Sequence, residues 1–161
     1  MANFTGANVI TASDVTAYQT DAFDFGIASG ASSVTAWLPQ TTNDILRDLR
    51  IKWFPVYKTN VFTDITVLGS VEMDNTKVNL DQFERAGVYL FLSRFYLPAV
   101  TKFRPEADKD RFERMIEFYS SAYIKEFQTI LEDGVNYDSD AGGSISASER
   151  EPLHGFRRLT R

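Results

Sequence analysis

A chain of 161 residues is long enough for one domain with its own hydrophobic core, and the lack of cysteine excludes a disulfide framework and thiol chemistry. The net charge of −5 argues against general affinity for nucleic acid, whose phosphates are held by clustered lysine and arginine. Nothing in MANFTGANVI resembles a signal peptide, and charges or proline interrupt every apolar run short of membrane-spanning length, so a soluble protein is expected. Thirteen Phe, seven Tyr and two Trp point to an aromatic core and to a contact surface able to hold a partner.

In VITASDVTAYQT, residues 9–20, Thr11 or Ser13 can cap a short helix with Val15 and Tyr18 on its apolar face. From Asp21 to Ser33 glycine, alanine and serine predominate, which predicts a loop pinned by Phe23, Phe25 and Ile27. Thr41, Thr42 and Asn43 are alternative caps for a helix carrying Ile45, Leu46, Leu49 and Trp53, closed by Pro55. Residues 56–73 change period: Val61, Thr63, Ile65 and Val67 alternate with polar neighbours around Gly69-Ser70. A short β-hairpin or an extended arm fits.

The body is organised around residues 79–134. Asn79 can cap while Gln82 reaches back three residues, with Val78 stapled to Phe83. AGVYLFLSRFYLPAV, Ala86 to Val100, is apolar on nearly every side, so its helix should be enclosed by neighbours. At Pro98 that helix should either kink or end near Tyr96. A second helix begins with Pro105 at its first position and Glu106 and Asp108 at its positive end, and stops at Gly134. Phe112, Met115, Ile116, Tyr119, Tyr123, Phe127, Ile130 and Leu131 give it an apolar stripe. At about 1.5 Å per residue it runs roughly 40 Å, a length that suits either a place in an assembly or a long helix in a monomer. The expected fold is mainly α: a helical bundle on two long helices over residues 1–134, with the extended or β-like segment 56–73, followed by a C-terminal loop and mobile docking tail over 135–161.

DSDAGGSISASE, Asp138 to Glu149, lies partly on the pattern of a calcium-binding EF-hand loop. Asp138 and Asp140 take the first and third positions, Gly143 the sixth, Ser144 the seventh and Glu149 the twelfth. Gly142 stands where a further Asp or Asn is usual, and Pro152 interrupts the exiting helix, so affinity for calcium should be weak. A polar Gly/Ser/Asp connector has the same composition. His154 is the only histidine, its Glu151-x-x-His154 spacing occurs once, and no GxSxG, GxGxxG, Walker or HExxH motif is present, so no catalytic residues are assigned and an enzyme is not expected. The last residues, Gly155 to Arg161, bring Phe156, Arg157, Arg158, Leu159 and Arg161 together in an otherwise acidic chain. Such groups anchor protein interfaces, although a frayed basic terminus reads the same way.

Taken in order, VITASDVTAYQ, DQFERAGVYLFLSRFYL, YSSAYIKEFQTILEDGVNYDSDAGGSIS and the terminal RRLTR resemble the head-to-tail connector, or neck adaptor, proteins of tailed bacteriophages. The resemblance implies a structural virion protein, made in the host cytoplasm. Copies form a ring below the portal, commonly a dodecamer, with the helices as its wall. It also implies a C-terminal segment, here Phe156, Arg157, Arg158, Leu159 and Arg161, that docks on the portal, and loops that receive the next neck or tail component. The segment 56–73 is the candidate for contacts between subunits or with the next ring. DNA would pass through without specific binding, helped by like charge. The competing expectation is a calcium-responsive binding module using residues 138–149, with no cofactor beyond that weakly held ion. No membrane partner is expected.

Overall fold

The computed structural model describes residues 8–62, 68–101, 106–146 and 149–151. Of the two cap candidates, Thr11 opens α1 (Ala12–Tyr18) with a reciprocal cap. Its hydroxyl accepts from the Asp14 amide at 3.4 Å, and Asp14 Oδ2 accepts from the Thr11 amide at 2.7 Å. Val15 is fully buried, but Tyr18 is 46% exposed. Tyr18 is the last residue of this short helix. The loop that follows contains one 3₁₀ turn, Ala22–Phe25, closed by Gly26 at φ +116°, where a side chain would be strained. Phe23 meets Tyr96 edge-on at 5.3 Å, and the Tyr96 hydroxyl donates to the Ile27 carbonyl at 3.1 Å, so the loop is pinned as expected by two of its three anchors. The Phe25 side chain lies outside the described residues.

The next helix overturns the expected caps. α2 (Ser32–Lys52) begins well before Thr41 and runs through Pro39. Thr41 and Thr42 are buried inside it, and Asn43 is likewise helical. The Thr41 hydroxyl donates to the Trp37 carbonyl at 2.9 Å. Thr42 donates to Leu38 at 3.3 Å and accepts from the Val9 amide at 2.8 Å. Hydroxyls that could have capped a helix thus bond back to its preceding turn. Burial of Val34, Ile45, Leu46 and Leu49 along one stripe outweighs the local preference of serine, threonine and proline for a boundary.

Pro55 does not lead into a strand. It sits in the first turn of α3 (Phe54–Val61), where its missing N–H leaves no helical bond unmade. Residues 56–61 are therefore helical, which corrects the hairpin or arm expected over 56–73. Among the described residues of that segment there is no strand; residues 63–67 lie outside them. The physical reason is aromatic: Phe54 and Tyr57, three apart on one helical face, are both buried beside Trp53, whose ring stacks on Tyr57 at 4.7 Å.

Asn79 caps as expected, accepting from the Asp81 amide at 3.1 Å, but what it caps is a 3₁₀ turn, Leu80–Phe83. Gln82 does not close a capping box; its Oε1 accepts instead from the Asn136 amide at 3.2 Å. The turn feeds the central helix, α4 (Glu84–Phe91), a π turn over Leu92–Tyr96, and α5 (Leu97–Thr101). At the π turn the Leu97 amide bonds to the Leu92 carbonyl, five residues back. The widened turn relieves the crowding that Pro98 imposes on the preceding turn, so the helix neither ends at Tyr96 nor leaves the core. Leu97 and Val100 stay buried beyond it.

α6 (Glu106–Asp133) is 28 residues long, about 42 Å at 1.5 Å per residue. Gly134 stops it at φ +107°, its amide bonding to the Ile130 carbonyl at 3.0 Å. Pro105 lies outside the described residues. Phe112, Tyr119, Tyr123, Phe127 and Leu131 are buried as the stripe predicts. The Tyr123 hydroxyl donates to Asp48 Oδ2 at 2.7 Å; burial, then the Asp48 acceptor, push its pKa up and keep the proton in place. The fold is thus a mainly α bundle with a minor β element, α4 packing between α2 and α6 and α5 packing on α6.

The bundle packs tightly at Gly87, where a Cβ would come within 2.8 Å of Ile10 Cγ2 and 2.9 Å of Val9 Cγ1. Gly87→Ala gains helix propensity but forces the segment before α1 outward, so a net loss of about 1–3 kcal/mol is expected from the overpacking. Urea unfolding followed by circular dichroism measures it; an unchanged or raised midpoint would show that this contact yields freely.

Candidate metal centre in the C-terminal loop

Past Gly134 the chain does not leave the body. β1 (Val135–Asn136) pairs antiparallel with β2 (Arg150–Glu151), Val135 opposite Glu151 and Asn136 opposite Arg150. On its other side Tyr137 bridges to Val78, with Asn79 N–H donating to Asn136 O at 3.0 Å and Asp138 N–H to Lys77 O at 2.8 Å. Val135 and Tyr137 are buried in the same core as the helices, the Tyr137 ring lying 5.5 Å from Trp53 and 5.1 Å from Tyr57. Its hydroxyl accepts from the Asp74 amide at 3.2 Å. The change of secondary structure at Gly134 is therefore not an end of packing.

This base brings Asp138, Asp140 and Glu149 together. One carboxylate oxygen from each lies within 4.8 Å of the others. Asp138 and Glu149 are only 5% and 6% exposed, yet each is held by donors from the loop itself. Asp138 Oδ1 accepts from the Gly142 amide at 2.9 Å and Oδ2 from the Gly143 amide at 2.8 Å. Asp140 Oδ1 shares the Gly142 amide at 2.8 Å. Glu149 takes five donors: Oε1 accepts from the Ser139 amide and hydroxyl and the Asp140 amide, Oε2 from the Ser146 amide and hydroxyl. Bonds from the Ser146 amide and hydroxyl, with those from Asp140 and Ser139, outweigh desolvation and hold the Glu149 carboxyl at about 2, well below its usual 4.5.

The backbone is shaped around these acceptors. Gly143 has φ +74°, and a Cβ on Gly142 would stand 2.9 Å from Asp140 Oδ1, so the glycine at the fifth loop position is what admits the Asp140 side chain. Ser144 is exposed. Ser139 and Ser146, which hold Glu149, were not singled out in the sequence. For Ser146 the signal was there: Ser146-x-x-Glu149 has the spacing of a capping box. Phe156, Arg157, Arg158, Leu159 and Arg161 lie outside the described residues, as does His154.

Chemically, this loop is a carboxylate cluster whose charge is met by amides and hydroxyls. A carboxylate has about four acceptor sites. Glu149 has none to spare, whereas Asp138 keeps room on both oxygens. The three side chains are close enough to hold a small cation, but a bidentate hold by Glu149 would require it to release loop donors.

No family model, curated protein or solved structure matches this chain. Among the described residues no helix is long and apolar enough to cross a membrane.

Because the Glu149 pKa is lowered on folding, its contribution to loop stability is complete above about 4.5 and is lost as pH falls towards about 2. Amide chemical shifts of Ser139, Asp140 and Ser146 should stay fixed through pH of about 4.5 and move together only as pH approaches about 2. Glu149→Gln should abolish that step and speed hydrogen exchange at those amides. A step in the wild type that Glu149→Gln leaves intact would assign it to another carboxylate.

Proposed function

We propose that this chain is a structural assembly protein without catalysis, of the head-to-tail connector or neck adaptor kind. In this reading copies form a ring below the portal of a tailed bacteriophage, a dodecamer by the resemblance, and join capsid to tail around a channel for DNA. The observation that carries it is α6, a helix about 42 Å long with one side built into the core while Phe118 and Ile124 stand 64% and 58% exposed on others. A helix of that kind suits a wall with neighbours. The net charge of −5 supports passage of DNA without adhesion. The docking group is the basic, aromatic tail: Phe156, Arg157, Arg158, Leu159 and Arg161. The protein resides in the virion neck, having been made in the host cytoplasm. Its further partner is the next neck or tail component.

Purified chain mixed with the portal of its phage tests this by mass photometry, beside a truncation before Gly155. Full-length protein should be captured in many copies per portal ring and the truncation should lose at least about tenfold in affinity, the scale of one to two anchor residues. Dilute isolated protein should stay monomeric, since capture on the portal raises the local concentration of copies. Failure of both forms to bind the portal counts against the connector reading.

A second reading, a calcium-responsive module, is favoured by the proximity of Asp138, Asp140 and Glu149. With Glu149 already occupied by loop donors, affinity belongs in the range of about 10⁻⁴–10⁻³ M. A melting temperature that rises and saturates at millimolar calcium, but not in Asp138→Asn, is the expected result under this reading. No calcium-dependent shift removes it.

A further inference from the structure

The exposed surface of α6 is divided by charge. With about 100° between successive residues, Arg111, Arg114, Phe118 and Lys125 fall on one stripe, pointing away from the core. Glu113, Glu117 and Ile124 fall on a second stripe, roughly a third of a turn round the helix. All seven are exposed. None of the five charged side chains takes part in an ion pair among the described residues. From Arg111 to Lys125 one stripe thus carries only basic charge around an aromatic ring, with Glu132 following at its C-terminal end, and the other carries only acidic charge around an aliphatic side chain. Beside Ile124 a groove of about 380 Å³ opens, floored by Leu90, Ile116 and Tyr123. The cations on its rim are already matched: Arg94 with Asp44 at 3.2 Å and Lys52 with Asp48 at 3.9 Å.

We propose that these two stripes bind each other between copies of this chain. The basic stripe of one copy lies along the acidic stripe of the next, and Phe118 enters the groove beside Ile124. Arg111, Arg114 and Lys125 then face Glu113 and Glu117. This deepens the assembly reading, and rests on it for the partner being a second copy. Opposite charge steers the approach and fixes which stripes meet, while burial of Phe118 and Ile124 supplies most of the affinity. Pairing of like stripes would set cations against cations or carboxylates against carboxylates, so a symmetric dimer is disfavoured. The contact is heterologous: each bound copy still offers one free stripe, and association proceeds to a closed ring or a helical filament rather than stopping at two.

Charge reversal in the full chain tests this. Arg111→Glu, Arg114→Glu and Lys125→Glu together make both stripes acidic; Glu113→Lys with Glu117→Lys makes both basic. Sedimentation velocity at low salt, from about micromolar to about millimolar protein, should show the native chain passing beyond a dimer as concentration rises. Each variant alone should remain monomeric, and their equimolar mixture should regain association, because each then supplies the stripe the other lacks. Phe118→Ala should weaken native association by about tenfold or more, consistent with loss of one buried aromatic anchor. Since these positions are exposed, far-ultraviolet circular dichroism should be unchanged in all variants. Folded variants that associate as the native chain does, a mixture that stays monomeric, or a native chain monomeric throughout would each overturn the proposal. Portal capture is read separately. A native chain that binds the portal but ignores charge reversal retains the connector reading, whereas stripe-dependent association without portal capture retains only the contact proposed here.

Discussion

Much of this fold depends on a buried helix that contains a proline and continues through it. An α-helix cannot accept Pro98 unaltered, since the ring crowds the carbonyl four residues back and offers no donor in return. The π turn over Leu92–Tyr96 moves the hydrogen bonding to a five-residue spacing just before the proline, with the Leu97 amide reaching the Leu92 carbonyl. Leu97 and Val100 consequently remain under α6 instead of leaving as a loop. Tyr96, inside the same turn, is fully buried, stacks on Phe91 at 6.0 Å and holds the Ile27 carbonyl. One local change of helical pitch therefore sets the path of the central helix and anchors the loop that leads to α2.

A second constraint acts from the opposite end of α6. The left-handed Gly134 turns the chain back, and Tyr137 enters the aromatic group formed by Trp53, Phe54 and Tyr57. The residues that begin the acidic loop are thus held by core packing and by backbone bonds to Lys77 and Asn79. Asp138 and Glu149 can be nearly buried as charges because donors surround them, which is the condition under which burial of a carboxylate is tolerable. Rigidity at the base and satisfaction of the charge come from different parts of the sequence.

What could be read beforehand depended on how local the cause was. The Thr11 cap, the Gly134 stop and the apolar stripe of α6 follow from interactions within a few residues, and each is found. The gathering of Asp138, Asp140 and Glu149 was legible because turn-forming glycines and carboxylates sit at a recognisable spacing. The start of α2 was not legible. Serine, threonine and Pro39 suggest boundaries, and only burial of Val34 and Ile45 by distant elements overrides them. Likewise the alternation beginning at Val61 suggested strands, whereas α3 is fixed by Phe54 and Tyr57 packing on Tyr137, a partner some eighty residues away in sequence. The bond from Gln82 to Asn136 is equally non-local, and it displaced a capping box that the local sequence favours.

The same distinction separates the two acidic features of the molecule. In the C-terminal loop the carboxylates are close together, but their charge is met within the loop, and Glu149 would have to surrender existing bonds to take another ligand. On α6 Arg111, Arg114 and Lys125 lie on one stripe and Glu113 and Glu117 on another, with no ion pair to any of these five among the described residues. An exposed charge forfeits little hydration when a partner meets it at the rim of an apolar contact, and it gains direction from the sign of that partner. Density of charge therefore marks the place where this chain organises itself, and segregation of charge, around exposed Phe118 and Ile124, marks the place where it is suited to meet another.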